Sequence, residues 1–170
     1  MPSLSTLAKS ALLSAVLASP AAAAVVVPDS GTTDYEFYWR GGLGPIDGIN
    51  GVEDPVWSLT LASASTVSFT ATDGFILGDA FELLVGGAYV PWTTIGTTID
   101  DYFEATYLSS LAAGTYLFSL RLSVLAPGYT RGGAFASFTV TPTVVPLPAA
   151  GLLLLGALGS LVALRRRKTA

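Results

Sequence analysis

The sequence predicts an all-β chain: an antiparallel β-sandwich of about seven to nine strands, flanked by an N-terminal signal helix and a C-terminal transmembrane helix. Three observations predict it. Apolar and polar residues alternate with a period of two between Tyr35 and Val140. Glycine-bearing turn signals separate the alternating runs. The two long apolar stretches that lack this alternation lie at the ends of the 170-residue chain.

The first end is a leader. Lys9 precedes an apolar run from Ala11 to Ala18, Pro20 breaks it, and Ala21 to Ala24 supply small residues. A charged start, a short greasy centre and an alanine-rich exit make a secretory signal peptide, residues 1–24, with cleavage at Ala23 or Ala24. The run is too short for a membrane span, which needs roughly 20 apolar residues.

The middle, residues 25–141, carries the sandwich. Tyr35, Phe37 and Trp39 share one face of the first long strand, with Glu36, Tyr38 and Arg40 opposite. Trp57, Leu59 and Leu61 repeat the pattern, then Val67, Phe69 and Ala71, then Phe81, Leu83 and Val85. Phe103, Ala105 and Tyr107 follow, then a long strand over 116–124 and a last one through Ala134, Ala136, Phe138 and Val140. Asn50-Gly51, Asp73-Gly74, Gly86-Gly87 and Pro127-Gly128 are among the turn formers, since glycine accepts the positive φ that tight turns demand. The stretch from Gly41 to Asp54 is the least regular and reads as a wrapping loop.

Composition closes off several chemistries. The chain has no Cys and no His, which removes thiol catalysis, disulfides, ordinary zinc sites and a Ser-His-Asp triad. Between residues 25 and 144, twelve carboxylates face only Arg40, Arg121 and Arg131, an excess of nine negative charges. Such a domain repels phosphate backbones, so no nucleic-acid partner is expected.

Two features of the middle remain as candidate sites. Asp73 and Asp79 flank one turn, beside Glu82, and Asp100 and Asp101 sit in another loop. Acidic loops gathered at one end of a sandwich suit calcium, the single cofactor candidate, because calcium takes several oxygen ligands. Aspartate also starts turns by bonding its own backbone, which explains the same residues without an ion. Trp39, Tyr38, Tyr89, Trp92, Tyr102 and Tyr129 lie at or near turns, where rings stack on sugars; Trp39 and Trp57 equally suit a sandwich core. Two carboxylates across a cleft would serve a glycoside hydrolase, a third option behind binding. No residue constellation marks a reaction, and no enzyme is expected.

The block from Thr70 to Gly87, with Asp73-Gly74, Gly78-Asp79 and Gly86-Gly87, resembles a strand–turn–strand unit of secreted bacterial β-sandwich proteins that carry short sorting tails. The stretch from Tyr107 to Leu120 looks like a later strand of the same group. That resemblance implies fold rather than activity.

Residues 142–170 form the linker and tail. Pro146 and Pro148 hold Val145 and Leu147 in extended backbone, a form that enters a protease cleft. The apolar run 149–164 predicts a transmembrane helix of roughly 24 Å at ~1.5 Å per residue. This is short of a hydrocarbon core of about 30 Å, so flanking side chains must snorkel. Arg165, Arg166, Arg167 and Lys168 form a basic stop that keeps the end in the cytoplasm.

Val145-Pro146-Leu147-Pro148-Ala149, the apolar run and the basic end together resemble the PEP-CTERM class of sorting signals, in its Val-Pro-Leu-Pro-Ala variant. Leu147 stands where the parent pattern has Glu. The resemblance implies a Gram-negative bacterium and processing by an exosortase, a membrane-embedded cysteine transpeptidase. The expected protein is exported by the secretion machinery and anchored in the inner membrane as an intermediate. It then reaches the cell surface or extracellular matrix, where a carbohydrate- or calcium-binding role in the exopolysaccharide layer is the alternative to a purely structural one.

Overall fold

Inward-pointing aromatics organise the fold, and the period-two phase of each strand decides which ones. The computed structural model describes residues 24–143. The signal segment before Ala24, the sorting motif Val145–Ala149, the helix 149–164 and the basic stop 165–168 lie outside the described residues.

Twelve strands form two six-stranded sheets. In the first, β1 (Val25–Val27), β5 (Val56–Leu61), β11 (Gly114–Val124), β7 (Ala80–Val85) and β8 (Ala88–Val90) lie in that order, with β3 (Gly44–Pro45) also paired to β11. In the second the order is β4 (Gly48–Ile49), β2 (Gly31–Arg40), β12 (Arg131–Pro142), β6 (Ser65–Asp73), β10 (Phe103–Leu111) and β9 (Thr94–Thr97).

The two inner faces meet on one core. Tyr35, Phe37 and Trp39 of β2 meet Trp57 of β5, Phe69 of β6, Phe81 of β7, Phe118 of β11 and Phe138 of β12. Many of these rings sit edge to face, as at Phe37–Phe81 (5.1 Å, 82°) and Phe118–Phe138 (5.1 Å, 86°). That geometry sets a ring's positive edge against its neighbour's negative face.

The expected sandwich is present, and all seven of its long strands were anticipated by alternation. The strand total exceeds the expected seven to nine because five short elements (β1, β3, β4, β8 and β9) have two to four residues each. Runs that short cannot display a period. β1 also departs from antiparallel pairing, running parallel to β5 with Val25 opposite Trp57. The wrapping segment after Arg40 buries Ile46 and Ile49, and it contributes β3 to one sheet and β4 to the other. Short strands at the sheet edges limit the unpaired backbone offered to other chains.

Two turns behave as their residues dictate. Gly86 and Gly87 both take positive φ (60° and 81°), closing β7 onto β8 with Val85 opposite Ala88. Asn50 and Gly51 do the same (49° and 76°), the twist a two-residue hairpin needs. Strand pairing in β12 continues to Pro142, opposite Ser65, and the Thr143 N–H still reaches the Ala64 carbonyl. Proline is tolerated at a strand end, where its missing N–H breaks no central ladder.

Strand directions place the connections. The β6–β7, β9–β10 and β11–β12 loops and the long segment after β2 gather at one end of the sandwich. The chain leaves β12 at the opposite end, beside the β5–β6 connection.

Candidate functional site

β6 carries its inward face one residue too far for an apolar core. Val67, Phe69 and Ala71 point inward, and the next residue in phase is Asp73, about 1% exposed. The six residues that follow take the chain from one sheet to the other, and Asp79, also about 1% exposed, stands immediately before β7. Two carboxylates therefore bracket the crossing.

Their bonding is incomplete. Asp79 Oδ1 accepts the backbone N–H of Ala126 at 2.7 Å, but Asp79 Oδ2 and both oxygens of Asp73 have no protein donor. Burial pushes the Asp73 carboxyl up to about 6, and the neighbouring Asp79 charge adds to the rise. The Gly74, Phe75 and Asp79 backbone amides oppose that rise, though none of them reaches full hydrogen-bond geometry on Asp73. Burial raises Asp79 as well, against the lowering effect of the Ala126 amide. Asp54 is likewise buried: its Oδ1 accepts the Val56 N–H and its Oδ2 has no protein donor, but it does not contribute to the shift of either Asp73 or Asp79.

Asp100 and Asp101 occupy the same end of the sandwich but remain exposed on the β9–β10 turn. That turn is fastened by Thr98, whose Oγ1 accepts the N–H groups of Asp100 and Tyr102. No group of three or more acidic residues suited to one ion forms among the described residues. The four aspartates expected as calcium candidates thus divide into a buried pair and an exposed pair. The signals that could have separated them are the phase of β6, which puts Asp73 inward, and that of β7, which puts Asp79 two residues before the inward Phe81.

The aromatic candidates divide too. Trp39 and Trp57 are fully buried and belong to the core. Trp92 is half-buried, stacked on Phe69 (6.0 Å, 12°), and its Nε1 donates to the Phe81 carbonyl at 2.8 Å. Tyr38 lies outward under the guanidinium of Arg40, 5.0 Å from the ring centre. Tyr89 and Tyr129 are more than half exposed, while Tyr102 is partly covered.

Tyr89 belongs to a second arrangement that sequence reasoning missed. On the outer face of the first sheet, Glu82 and Arg121 are cross-strand partners, yet Arg121 Nη1 donates to Tyr89 Oη instead of the carboxylate. With Leu43 and Ser123 these residues line an open groove of about 420 Å³. Across Glu82 and Tyr89 it runs into a second hollow of about 440 Å³ that includes Trp92 and Ile95.

No protein-family model and no curated protein sequence matches the chain. Among solved structures it is similar to part of a β-glucosidase from Paenibacillus barengoltzii, with a TM-score of 0.42 and 12% identity. That match covers 72% of this chain and only 12% of the enzyme. It is also similar to the pre-peptidase C-terminal domain of a collagenase from Bacillus anthracis, with a TM-score of 0.37 and 15% identity over 69% of this chain and 94% of that domain.

Proposed function

We propose that this chain is an exported, non-enzymatic β-sandwich that is anchored in the inner membrane by its tail and then processed there by an exosortase. The mature domain acts at the cell surface or in the extracellular matrix, through contacts rather than catalysis. The observation that carries this reading is the run Val145–Ala149, followed by the apolar stretch 149–164 and then Arg165 to Lys168. The fold is compatible with it, because β12 delivers the tail at the end of the sandwich opposite the acidic loops. A domain held by that tail directs Asp73, Asp79, Asp100 and Asp101 away from the membrane.

The test is the fate of an epitope added after Ala170. In a strain with its exosortase the mature protein loses the epitope; in an exosortase deletion, or with Pro146→Ala and Pro148→Ala together, it keeps it. Intact tail on all the mature protein of the competent strain overturns the proposal.

The groove around Tyr89 favours one second reading, contact with exopolysaccharide. An exposed phenol, a carboxylate and a guanidinium side by side offer a ring to stack on a sugar and groups to bond its hydroxyls. Calorimetry with the polysaccharide of the producing strain tests it. Binding that Tyr89→Ala and Glu82→Gln each weaken at least tenfold supports this reading, and no heat with the wild-type protein removes it.

A further inference from the structure

The Asp73–Asp79 pair has a charge problem that no side chain resolves. Neither lysine of the chain lies among the described residues, Arg40 pairs with Glu53 at 3.8 Å, Arg121 is committed to Tyr89, and Arg131, at the start of β12, makes no ion pair with either carboxylate. The Arg40–Glu53 pair is the single salt bridge among the described residues. Two carboxylates are removed from water close enough for Asp79 to raise Asp73, and three of their oxygens lack a full hydrogen bond despite the nearby Gly74, Phe75 and Asp79 amides. Above the pH at which Asp73 loses its proton, that arrangement costs several kcal/mol unless a positive partner joins it.

The oxygens specify the partner. All are hard carboxylate ligands, and the intervening residues Gly74 to Gly78 carry no polar side chain, so the further ligands the loop could offer are its peptide carbonyl oxygens. Gly78 takes φ +110°, so this turn follows a path open to few other residues. An irregular oxygen-only loop matches calcium, which accepts uneven shells of six to eight ligands, better than magnesium, which demands a near-ideal octahedron. Zinc prefers nitrogen and sulfur, and the chain has neither His nor Cys.

We propose that Asp73 and Asp79, without Asp100 or Asp101, hold one calcium ion at the crossing between the two sheets. The ion joins the end of β6 to the start of β7. Through Asp79 Oδ1 and the Ala126 amide it also fastens the β11–β12 loop. Two carboxylates make a site of modest charge, so the dissociation constant falls on the order of 10⁻⁴–10⁻³ M, the range of extracellular modules. The inference is independent of how the chain is exported.

The experiment uses the full chain in detergent, stripped with EDTA and titrated with calcium chloride alone, followed by calorimetry and thermal unfolding. Calcium at about 10 mM, roughly 10–100 dissociation constants, raises the melting temperature on the order of 10 °C. Asp73→Asn and Asp79→Asn each weaken binding at least tenfold, while Asp100→Asn with Asp101→Asn leaves it unchanged. Asp73→Asn removes a buried charge, so in EDTA it unfolds no earlier than wild type, and its lost calcium response is then not a folding failure. Absence of heat and of any melting shift in folded wild-type protein overturns the site. So does an undiminished response in Asp73→Asn, and an equal response to magnesium overturns the choice of ion.

Discussion

Asp79 fastens two loops with one atom: its Oδ1 accepts the backbone N–H of Ala126 at 2.7 Å, joining the β6–β7 crossing to the β11–β12 loop. The bond is buried, and a Cβ at Gly78 would come into contact with Ala126 beside it. A buried N–H that loses its acceptor keeps its full desolvation cost. Asp79→Ala is therefore expected to destabilise by about 1–3 kcal/mol more than Asp79→Asn, whose amide oxygen still accepts. Urea unfolding of the two variants in EDTA measures the difference. Equal stability would show that the Ala126 amide finds another partner.

Gly132 lies where β12 passes Trp39. A Cβ at that position would run into the indole of Trp39, which is itself about 1% exposed and held by Phe37 and Phe81. The indole cannot swing away without displacing those rings. Gly132→Ala is expected to cost about 1–3 kcal/mol, the usual penalty for overpacking. Denaturant unfolding followed by tryptophan fluorescence checks it, with Gly87→Ala as a control that has open space but positive φ.

Phe69 is the ring on which both sheets meet, touching Trp57, Trp92, Phe118 and Phe138. Its centre is only 4.5 Å from that of Phe138. Phe69→Ala removes these contacts and leaves a cavity that four bulky neighbours cannot fill without leaving their rotamers. The expected loss is about 3–5 kcal/mol. A loss below ~1 kcal/mol in urea unfolding would mean that the core repacks around the gap.

Much of this architecture was legible because burial imposes a period on each long strand. The alternation of Tyr35, Phe37 and Trp39, or of Val67, Phe69 and Ala71, is the direct imprint of a sheet with one covered face. β9 was not legible: all four of its residues are exposed, so nothing selects an alternation. At the site, Asp73 reads as a turn former by residue type but as an inward residue by phase, and phase prevailed. Asp100 and Asp101 could not be separated from it by composition, because Thr98 supplies the turn bonds that aspartate often makes. The groove at Tyr89 depends on strands β7, β8 and β11 lying side by side, a long-range pairing that local pattern does not encode.

Asp73 also sets a pH dependence whose sign is opposite to that of a carboxylate in an ion pair. In the metal-free protein its carboxyl keeps a proton to about pH 6, against 3.8 ordinarily, because burial and the facing Asp79 both disfavour the charged form. Below pH 3.8 folded and unfolded chains both carry the proton and the group costs nothing. Between 3.8 and about 6 only the folded chain retains it, so folding takes up a proton and stability falls as pH rises through this window. Above it the loss is complete and constant, at most on the order of 3 kcal/mol. The measurement is unfolding free energy in EDTA from pH 4 to 7 for wild type and Asp73→Asn, the difference isolating this group. That difference is expected to move against wild type as pH rises; a flat or rising one would show that Asp73 is solvated or paired. Repeated with saturating calcium, the dependence reverses, because protons then compete with the ion for the same oxygens and binding strengthens as they leave.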